Sequence, residues 1–532
     1  MFRALIAMAC LLACGAATAE PALGVATVEA RLTADGLRAD IQLSRPVTSF
    51  AFAEADVVRE GDFTVLTAGL TLSGDTISAE SPFRHFSVLV RPMEHERDAK
   101  YPAFFRVGAG GVLYAPALSA DGDTWRTAMR LRPRPGEVVV PARGAREQGS
   151  VFIGPRHYVV TTPQARIIAS PETPAPLRAA ASAEMLRSIQ FYTEQVGIPL
   201  PTRPVMVLAY GGDGSGYVGD VTPGPFVSLR LYGSTWSVLD ENTRAGLSRF
   251  ISHEAFHFWN GSLVTNRDSA PSWLHEGGAE YAALLSARNA LGMSEAEVLS
   301  ALGEALTRCQ SGLRAAGDVG MNRLAFLSSS VRYPCGVVIQ WAADLAIRKQ
   351  SNGERNVFDA WAATTHAALA REDHDFVLTD FTRYDGVSRA ARVITLLTET
   401  SGPERWESLA IALRDLGAGL EMRPSNETRR QALLFHILNQ ACSNQRYGFS
   451  LDQRGLTIED VSTCGVLAGG PTVNTIENGD AISTSVDTYR RVQAACAAGR
   501  DVEFVVDGSR RINVPCRAPL PDAPNAYFVT AG

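Results

Sequence analysis

Residues 253–257 read His-Glu-Ala-Phe-His, and no other short stretch constrains the chain as tightly. On a helix, positions i and i+4 lie on one face, so the imidazoles of His253 and His257 can address a single ion. Two histidines at that spacing are zinc ligands when a third donor arrives from elsewhere. Glu254 sits beside the first histidine, where a carboxylate can act as general base on a water that the ion activates. The third donor expected is Glu276, which lies in a second helical pattern with Trp273, Leu274, Ala279 and Tyr281. A His, His, Glu set leaves one coordination position open, the mark of a catalytic rather than a structural zinc site, with one Zn2+ per chain. Glu280 follows Glu276 by one turn and faces the same way. It is expected to accept a hydrogen bond from a ligand histidine and fix its tautomer, against the alternative of a solvated helix carboxylate. His275 adjoins Glu276 but points elsewhere around the helix and is not counted as a ligand.

Composition narrows the setting. The chain has 532 residues, 46% hydrophobic and 20% charged, which suits several globular domains with sizeable cores. A net charge of −6 argues against a nucleic-acid partner. After the N-terminus no apolar run is long enough to span a bilayer as a helix. At the start, Arg3, the apolar run Ala4–Ala13 and Ala17-Thr18-Ala19 read as a signal peptide cleaved before Glu20. Leu11-Leu12-Ala13-Cys14-Gly15 also resembles a bacterial lipobox, which would place a lipid anchor on Cys14. The downstream small-residue site favours ordinary cleavage, and either route exports the chain to the periplasm or beyond. Six cysteines remain after that segment. An even number in an exported chain suggests disulfides, and the pairing expected is local: Cys309–Cys335, Cys442–Cys464 and Cys496–Cys516.

Residues 20–160 read as β. Gly24–Leu32, Arg38–Leu43, Phe63–Thr71, Phe86–Val90 and Val112–Ala115 alternate or run apolar, with turn signals at Asp35-Gly36, Gly61-Asp62 and Gly74-Asp75. A β-sandwich-like domain is the natural expectation. Helical spacing then appears over Pro176–Val196 and stops at Gly197, and Pro204–Tyr210 reads as a strand. Gly214, Gly216 and Gly219 match G-x-G-x-x-G, but no helix N-terminus follows to hold a phosphate, so the match is discounted. Phe226–Leu231 is expected to be the edge strand that borders a cleft. The metal-binding helix is expected from about Glu241 to Trp259, capped by Asp240 and stopped by Gly261, and the second helix from Ser272 to Leu291.

Taken together, His253, Glu254, His257, Trp259, Gly261, Leu263, Val264, Thr265, Trp273, Leu274, Glu276, Gly277, Ala279 and Tyr281 resemble the signature of the gluzincin metallopeptidases, the aminopeptidase N family in particular. The resemblance implies a thermolysin-like catalytic domain behind an N-terminal β domain. It also implies a catalytic tyrosine in Tyr-x-x-Gly before a helix, which Tyr333 and Gly336 match ahead of Val337–Arg348. A phenol hydroxyl there would help stabilise the oxyanion of amide hydrolysis, a donor whose loss typically costs about 10²–10³ in rate. One departure stands out. The family's Gly-x-Met-Glu-Asn, whose Glu holds the substrate's free α-amine, has no counterpart between Pro204 and Asp240. Asp213 and Asp220 are the only carboxylates in that loop, so the choice between exopeptidase and endopeptidase stays open.

The last hundred residues form a separate pattern: a strand at Tyr447-Gly448-Phe449-Ser450-Leu451, another at Val473–Ile476, a helix at Val486–Ala498 and a hairpin around Asp507-Gly508. This resembles a PDZ domain, with Tyr447, Gly448 and Phe449 in the place of its peptide-binding loop. PDZ domains bind extended peptides, often C-termini, by adding a strand to a sheet edge. With Trp259-Asn260 after the second histidine and Ser351-Asn352-Gly353 after Tyr333, the layout is similar to the glycyl aminopeptidase group.

The architecture expected is multidomain α+β. It comprises a signal peptide (1–19), an N-terminal β-sandwich-like domain (20–160), a thermolysin-like zinc domain (161–335), a helical domain (336–440) and a PDZ-like domain (441–532). The function expected is an exported zinc peptidase acting on peptides or proteins through Glu254 and Tyr333. Its rivals are a non-catalytic envelope scaffold that binds peptide tails and a zinc hydrolase of a non-peptide substrate such as an epoxide.

Overall fold

The structure, a computed structural model, describes residues 23–93, 101–141, 149–211, 216–266, 270–290, 292–442, 448–452, 455–459 and 464–530. The signal segment with Cys14, and also Asp213, Leu291 and Tyr447, lie outside the described residues. The fold is mixed α+β and divides into two compact units, Met1–Asn266 with Leu369–Asp375, and Arg267–Ala368 with Phe376–Gly532.

The first unit opens with β1 (Gly24–Leu32), β2 (Leu37–Ala51), β3 (Phe63–Val65), β4 (Thr71–Ser73), β5 (Thr76–Val90), β6 (Phe104–Val107), β7 (Gly110–Tyr114), β8 (Trp125–Leu131), β9 (Glu137–Val140) and β10 (Ser150–Pro155). Two sheets result, one in the order β3-β5-β2-β1-β8 with β4 beside β5, the other β6-β7-β10-β9. Alternation drives the first: Ala26, Val28 and Ala30 of β1 and Ala39, Ile41 and Leu43 of β2 turn inward, and Phe104, Leu113, Val151 and Ile153 of the second sheet join the same core. The strand expected over Phe63–Thr71 stops at Val65.

A second layer follows in the same unit: β11 (Val159–Thr161), β12 (Arg166–Ala169), α1 (Ala175–Val196), β13 (Val205–Gly211), β14 (Gly216–Thr222), β15 (Phe226–Tyr232) and α2 (Glu241–His257). The sheet runs β11-β12-β13-β15-β14. Here one expectation is corrected. Phe226–Leu231 is not the edge strand. Its residues are buried without interruption from Phe226 to Leu231, the pattern of a strand flanked on both sides, and it lies between β13 and β14. The edge is β14, built by the glycine-rich stretch itself. Gly197 closes α1 in the left-handed conformation (φ 71°), which costs a glycine nothing.

The second unit holds α3 (Ser272–Ala290), α4 (Glu295–Ala315), α5 (Ser329–Gln350), α6 (Val357–Leu369), α7 (Leu378–Thr382), α8 (Ala391–Thr398), α9 (Arg405–Asp415), β16 (Gly419–Arg423) and α10 (Asn426–Ala441). It ends with β17 (Gly448–Asp452), β18 (Gly455–Glu459), β19 (Thr472–Ile476), β20 (Gly479–Asp480), α11 (Val486–Ala497), β21 (Val502–Val506), β22 (Arg510–Val514) and β23 (Ala526–Thr530). The C-terminal sheet runs β17-β18-β19-β21-β22 and packs on α10 and α11 around Leu434, Leu438, Ile458, Val492 and Phe504. All three disulfides pair as expected: Cys309–Cys335, Cys442–Cys464 and Cys496–Cys516. No helix among the described residues is long and apolar enough to cross a membrane.

A further correction concerns α5. The helix expected from Val337 begins at Ser329, so Tyr333 lies inside it and not ahead of it, and Pro334 is accommodated within it. An interior proline costs about 3 kcal/mol. Burial of Val331, Cys335, Val338, Ile339 and Trp341, together with the Cys309–Cys335 tie to α4, outweighs that cost.

Candidate metal centre and active site

Helix α2 begins where the sequence says it should. The backbone N–H of Thr243 donates to the Asp240 carboxylate at 2.7 Å, and this capping bond holds the Asp240 carboxyl below its usual range. The helix leads into the molecule, so that its C-terminal turns, with His253, Glu254 and His257, are buried. Helix α1 fixes it there. The Tyr192 hydroxyl donates to the Ser252 carbonyl at 3.0 Å, and the hydroxyls of Ser188 and Ser252 meet at 2.7 Å beside the buried Glu184 carboxylate. Beyond His257 the helix widens into a π-helical turn, Phe258–Leu263, rather than stopping at Gly261. That turn carries Trp259 inward, where its indole N–H donates to the Ile198 carbonyl at 2.8 Å.

The two imidazoles do converge. Nε2 of His253 and Nε2 of His257 lie 3.1 Å apart. On His257 the other ring nitrogen, Nδ1, is 2.8 Å from Oδ1 of Asn260, which is wholly buried. An amide oxygen can only accept, so Nδ1 carries the proton and Nε2 presents a lone pair toward His253. Two nitrogens bound to one zinc at about 2.0–2.1 Å with a tetrahedral angle would stand about 3.3 Å apart, within a few tenths of the 3.1 Å separation. The residues present therefore fit a metal. Sequence reasoning does not mark Asn260 as a site residue, although a carbonyl-bearing side chain three positions after a candidate ligand histidine is the available signal.

Glu254 points at β14. A Cβ built on Gly219 would stand 2.8 Å from Cγ of Glu254 and closer still to its carboxylate. Side chains alternate along the strand, so Tyr217, Gly219 and Val221 face α2 while Val218 and Asp220 face the other way. Asp220 is spent there on an ion pair with the buried Arg230, whose guanidinium lies over Phe105. It is therefore on the wrong face of the edge strand to hold a substrate amine near Glu254.

In the second unit, Glu276 and Glu280 are half-buried on α3, and Tyr333 is half-buried on α5 with the Arg332 guanidinium 5.1 Å from its ring centroid. The two helices are tied through Asp344: its Oδ2 accepts from the Tyr281 hydroxyl at 2.9 Å and from Arg348 Nε at 2.7 Å, and its Oδ1 accepts from the Val357 N–H at 2.8 Å. Burial, then the neighbouring Asp344, pushes the Tyr281 phenol well above its ordinary range, so it remains a donor. His275 stacks toward Phe376, centroids 6.5 Å apart.

Two sets of side chains among the described residues have the donors to hold an ion, His253, His257 and Glu276, and His436, Cys496 and Cys516. The second is discounted, because its cysteines are joined in a disulfide and have no thiolates to offer.

No family model matches the chain, and no curated protein matches it in sequence. Among solved structures it is similar to the crystal structure of an aminopeptidase N family protein from Idiomarina loihiensis, at 13% identity and a TM-score of 0.58, over 95% of this chain and 98% of that one. This likeness, extending over nearly the whole of both chains, shows an aminopeptidase N-like fold.

Proposed function

We propose that the chain is an exported zinc-dependent peptidase, with one Zn2+ held by His253, His257 and Glu276. The observation that carries the reading is the pair of buried imidazoles whose Nε2 atoms face each other at 3.1 Å, one of them held in its tautomer by Asn260, with Glu254 between them in the chain. A cation that takes one lone pair from each imidazole is a partner this spacing suits. Zinc bound there supplies Lewis acidity for polarising a carbonyl and activating water. Glu254 takes a proton from the attacking water and returns it to the leaving amine. The Tyr333 hydroxyl donates to the oxyanion that develops on the scissile carbonyl. Glu280 is read as the acceptor of a hydrogen bond from a ligand histidine, fixing its tautomer. The aminopeptidase N-like fold supports a peptidase, and the three disulfides fit an exported protein.

The test is to purify the chain after its signal segment, measure bound zinc, and assay a peptide mixture beside Glu254→Gln. Stoichiometric zinc in both proteins with cleavage only by the first is expected. Equal cleavage by both sinks the mechanism. Protein without zinc that captures C-terminal peptides would favour the scaffold, and product analysis would reveal a non-peptide substrate.

The C-terminal module is read as a PDZ-like peptide binder. Supporting this, β17 stands at the end of its sheet and Phe449 on it packs against Phe435 of α10, ring centroids 5.2 Å apart. A peptide laid on that edge would meet Gly448 and Phe449, with Tyr447 before them.

A further inference from the structure

The edge strand β14 runs beside α2 in step with it. Tyr217 packs on Phe250, centroids 4.6 Å apart, and two residues later Gly219 packs on Glu254. Phe250 and Glu254 are one turn apart on α2 and share a face. Two residues of strand advance about 6.7 Å and four residues of helix about 6 Å, so the two contacts lie along one line parallel to both elements.

Tyr217 is also unusual for its surroundings. It is 54% exposed, yet it rests on an aromatic floor of Phe250 and Trp236, both 8% exposed. The Trp236 ring meets it edge-on at 5.7 Å, and the Trp236 indole N–H is satisfied by the Gly216 carbonyl at 3.2 Å. One side of the phenol ring is thus fixed and the other is open, on the same sheet face as Gly219 and Glu254.

We propose that Tyr217, backed by Trp236 and Phe250, is a specificity-determining residue that receives an apolar or aromatic side chain of a peptide substrate. The proposal rests on the peptidase reading above and names what that site selects. A chain extended along an antiparallel edge places directly opposed residues on one face. When the residue opposite Gly219 has its peptide group at Glu254, the side chain opposite Tyr217 belongs to a residue two positions away and points onto the open ring. Apolar area and ring-on-ring contact favour Phe, Tyr or Leu there over Gly, Ser or Asp.

The experiment uses the full exported chain and a peptide series in which each position flanking the cut bond is varied in turn among Phe, Leu, Gly and Asp. Cleavage is measured for the wild type, Tyr217→Ala and Tyr217→Phe, and binding of the same peptides is measured calorimetrically on Glu254→Gln with and without Tyr217→Ala. At one position, Phe should be preferred over Gly by roughly tenfold in kcat/KM and in affinity. Tyr217→Ala should erase that preference at that position alone, and Tyr217→Phe should keep it. A uniform loss across the series, or a preference that survives Tyr217→Ala, overturns the proposal. Selective binding without any cleavage by the wild type would leave Tyr217 as a peptide subsite and overturn the peptidase reading instead. Because Tyr217 is half in solvent, its truncation leaves the core intact, and an unchanged melting curve verifies this.

Discussion

Gly277 and Gly336 pass each other with bare backbone between them. A Cβ on Gly336 would stand 2.6 Å from Cα of Gly277, and nearer still to the Trp273 carbonyl oxygen. This is why a glycine follows Tyr333 at one turn and another follows Glu276 directly. Helices α3 and α5 can approach this closely only where neither has a side chain, and the approach sets Glu276 and Tyr333 on two helices locked at one crossing.

Gly336→Ala should therefore act on both stability and turnover. The added methyl has only backbone to displace, so the helices must separate. Overpacking of this kind costs about 1–3 kcal/mol. A lowered melting temperature together with a fall in peptide turnover is expected. A variant with unchanged melting and turnover would show that the crossing tolerates the methyl.

Gly219→Ala separates chemistry from stability. The position lies in a strand without positive φ, so alanine meets no backbone strain. Its methyl would enter the space of the Glu254 carboxylate, and general bases contribute about 10²–10⁴ in rate. A loss of kcat of at least tenfold with zinc content and melting unchanged is expected, read by steady-state kinetics, metal analysis and thermal denaturation.

The contrast between these glycines and the metal motif shows what the sequence can carry. His253, Glu254 and His257 are legible because a helix converts a fixed spacing into a shared face. Asp240, Gly197 and the three disulfides are legible for the same reason: each is settled by neighbours in the chain or within one module. The order of β13, β15 and β14 is not local. The glycine-rich stretch reads as a loop because its strand is stabilised by pairing with β15 and by aromatic packing on α2, neither of which leaves a periodic trace. Likewise Tyr333 is expected ahead of a helix only from the family's Tyr-x-x-Gly pattern, while the packing that carries α5 through Pro334 is tertiary. Gly219 and Asn260 are single residues whose roles exist only once α2, β14 and the π-turn are assembled.

Asn260→Ala addresses the metal directly. Without the amide oxygen, Nδ1 of His257 loses its acceptor, and the ring is free to rotate or to change tautomer. Partners of this kind are typically worth about 10–100-fold in metal affinity. Chelator competition should show zinc binding weakened by that factor, while Asn260→Asp, which keeps an acceptor, should retain most of it. Equal affinity in wild type and Asn260→Ala would remove Asn260 from the site.

Tyr489 supplies a pH prediction. Its hydroxyl donates to the Pro521 carbonyl at 2.8 Å, and burial, with a smaller push from Asp522, raises its pKa from the ordinary 10.0 to about 12. The folded state thus holds the proton more tightly than the unfolded chain. Stability from this group is fully present below about pH 10 and is lost as pH rises from there toward 12, because only the unfolded chain releases the proton in that window. Tyr114, raised to about 12 by burial, acts in the same direction in the first unit. Denaturant unfolding of the full chain should show stability falling with pH across this window. In Tyr489→Phe the unfolding of the C-terminal module should depend less steeply on pH there, while below pH 10 the variant should be weaker by the lost hydrogen bond, about 1 kcal/mol. A slope identical to wild type would mean that Tyr489 ionises as readily folded as unfolded.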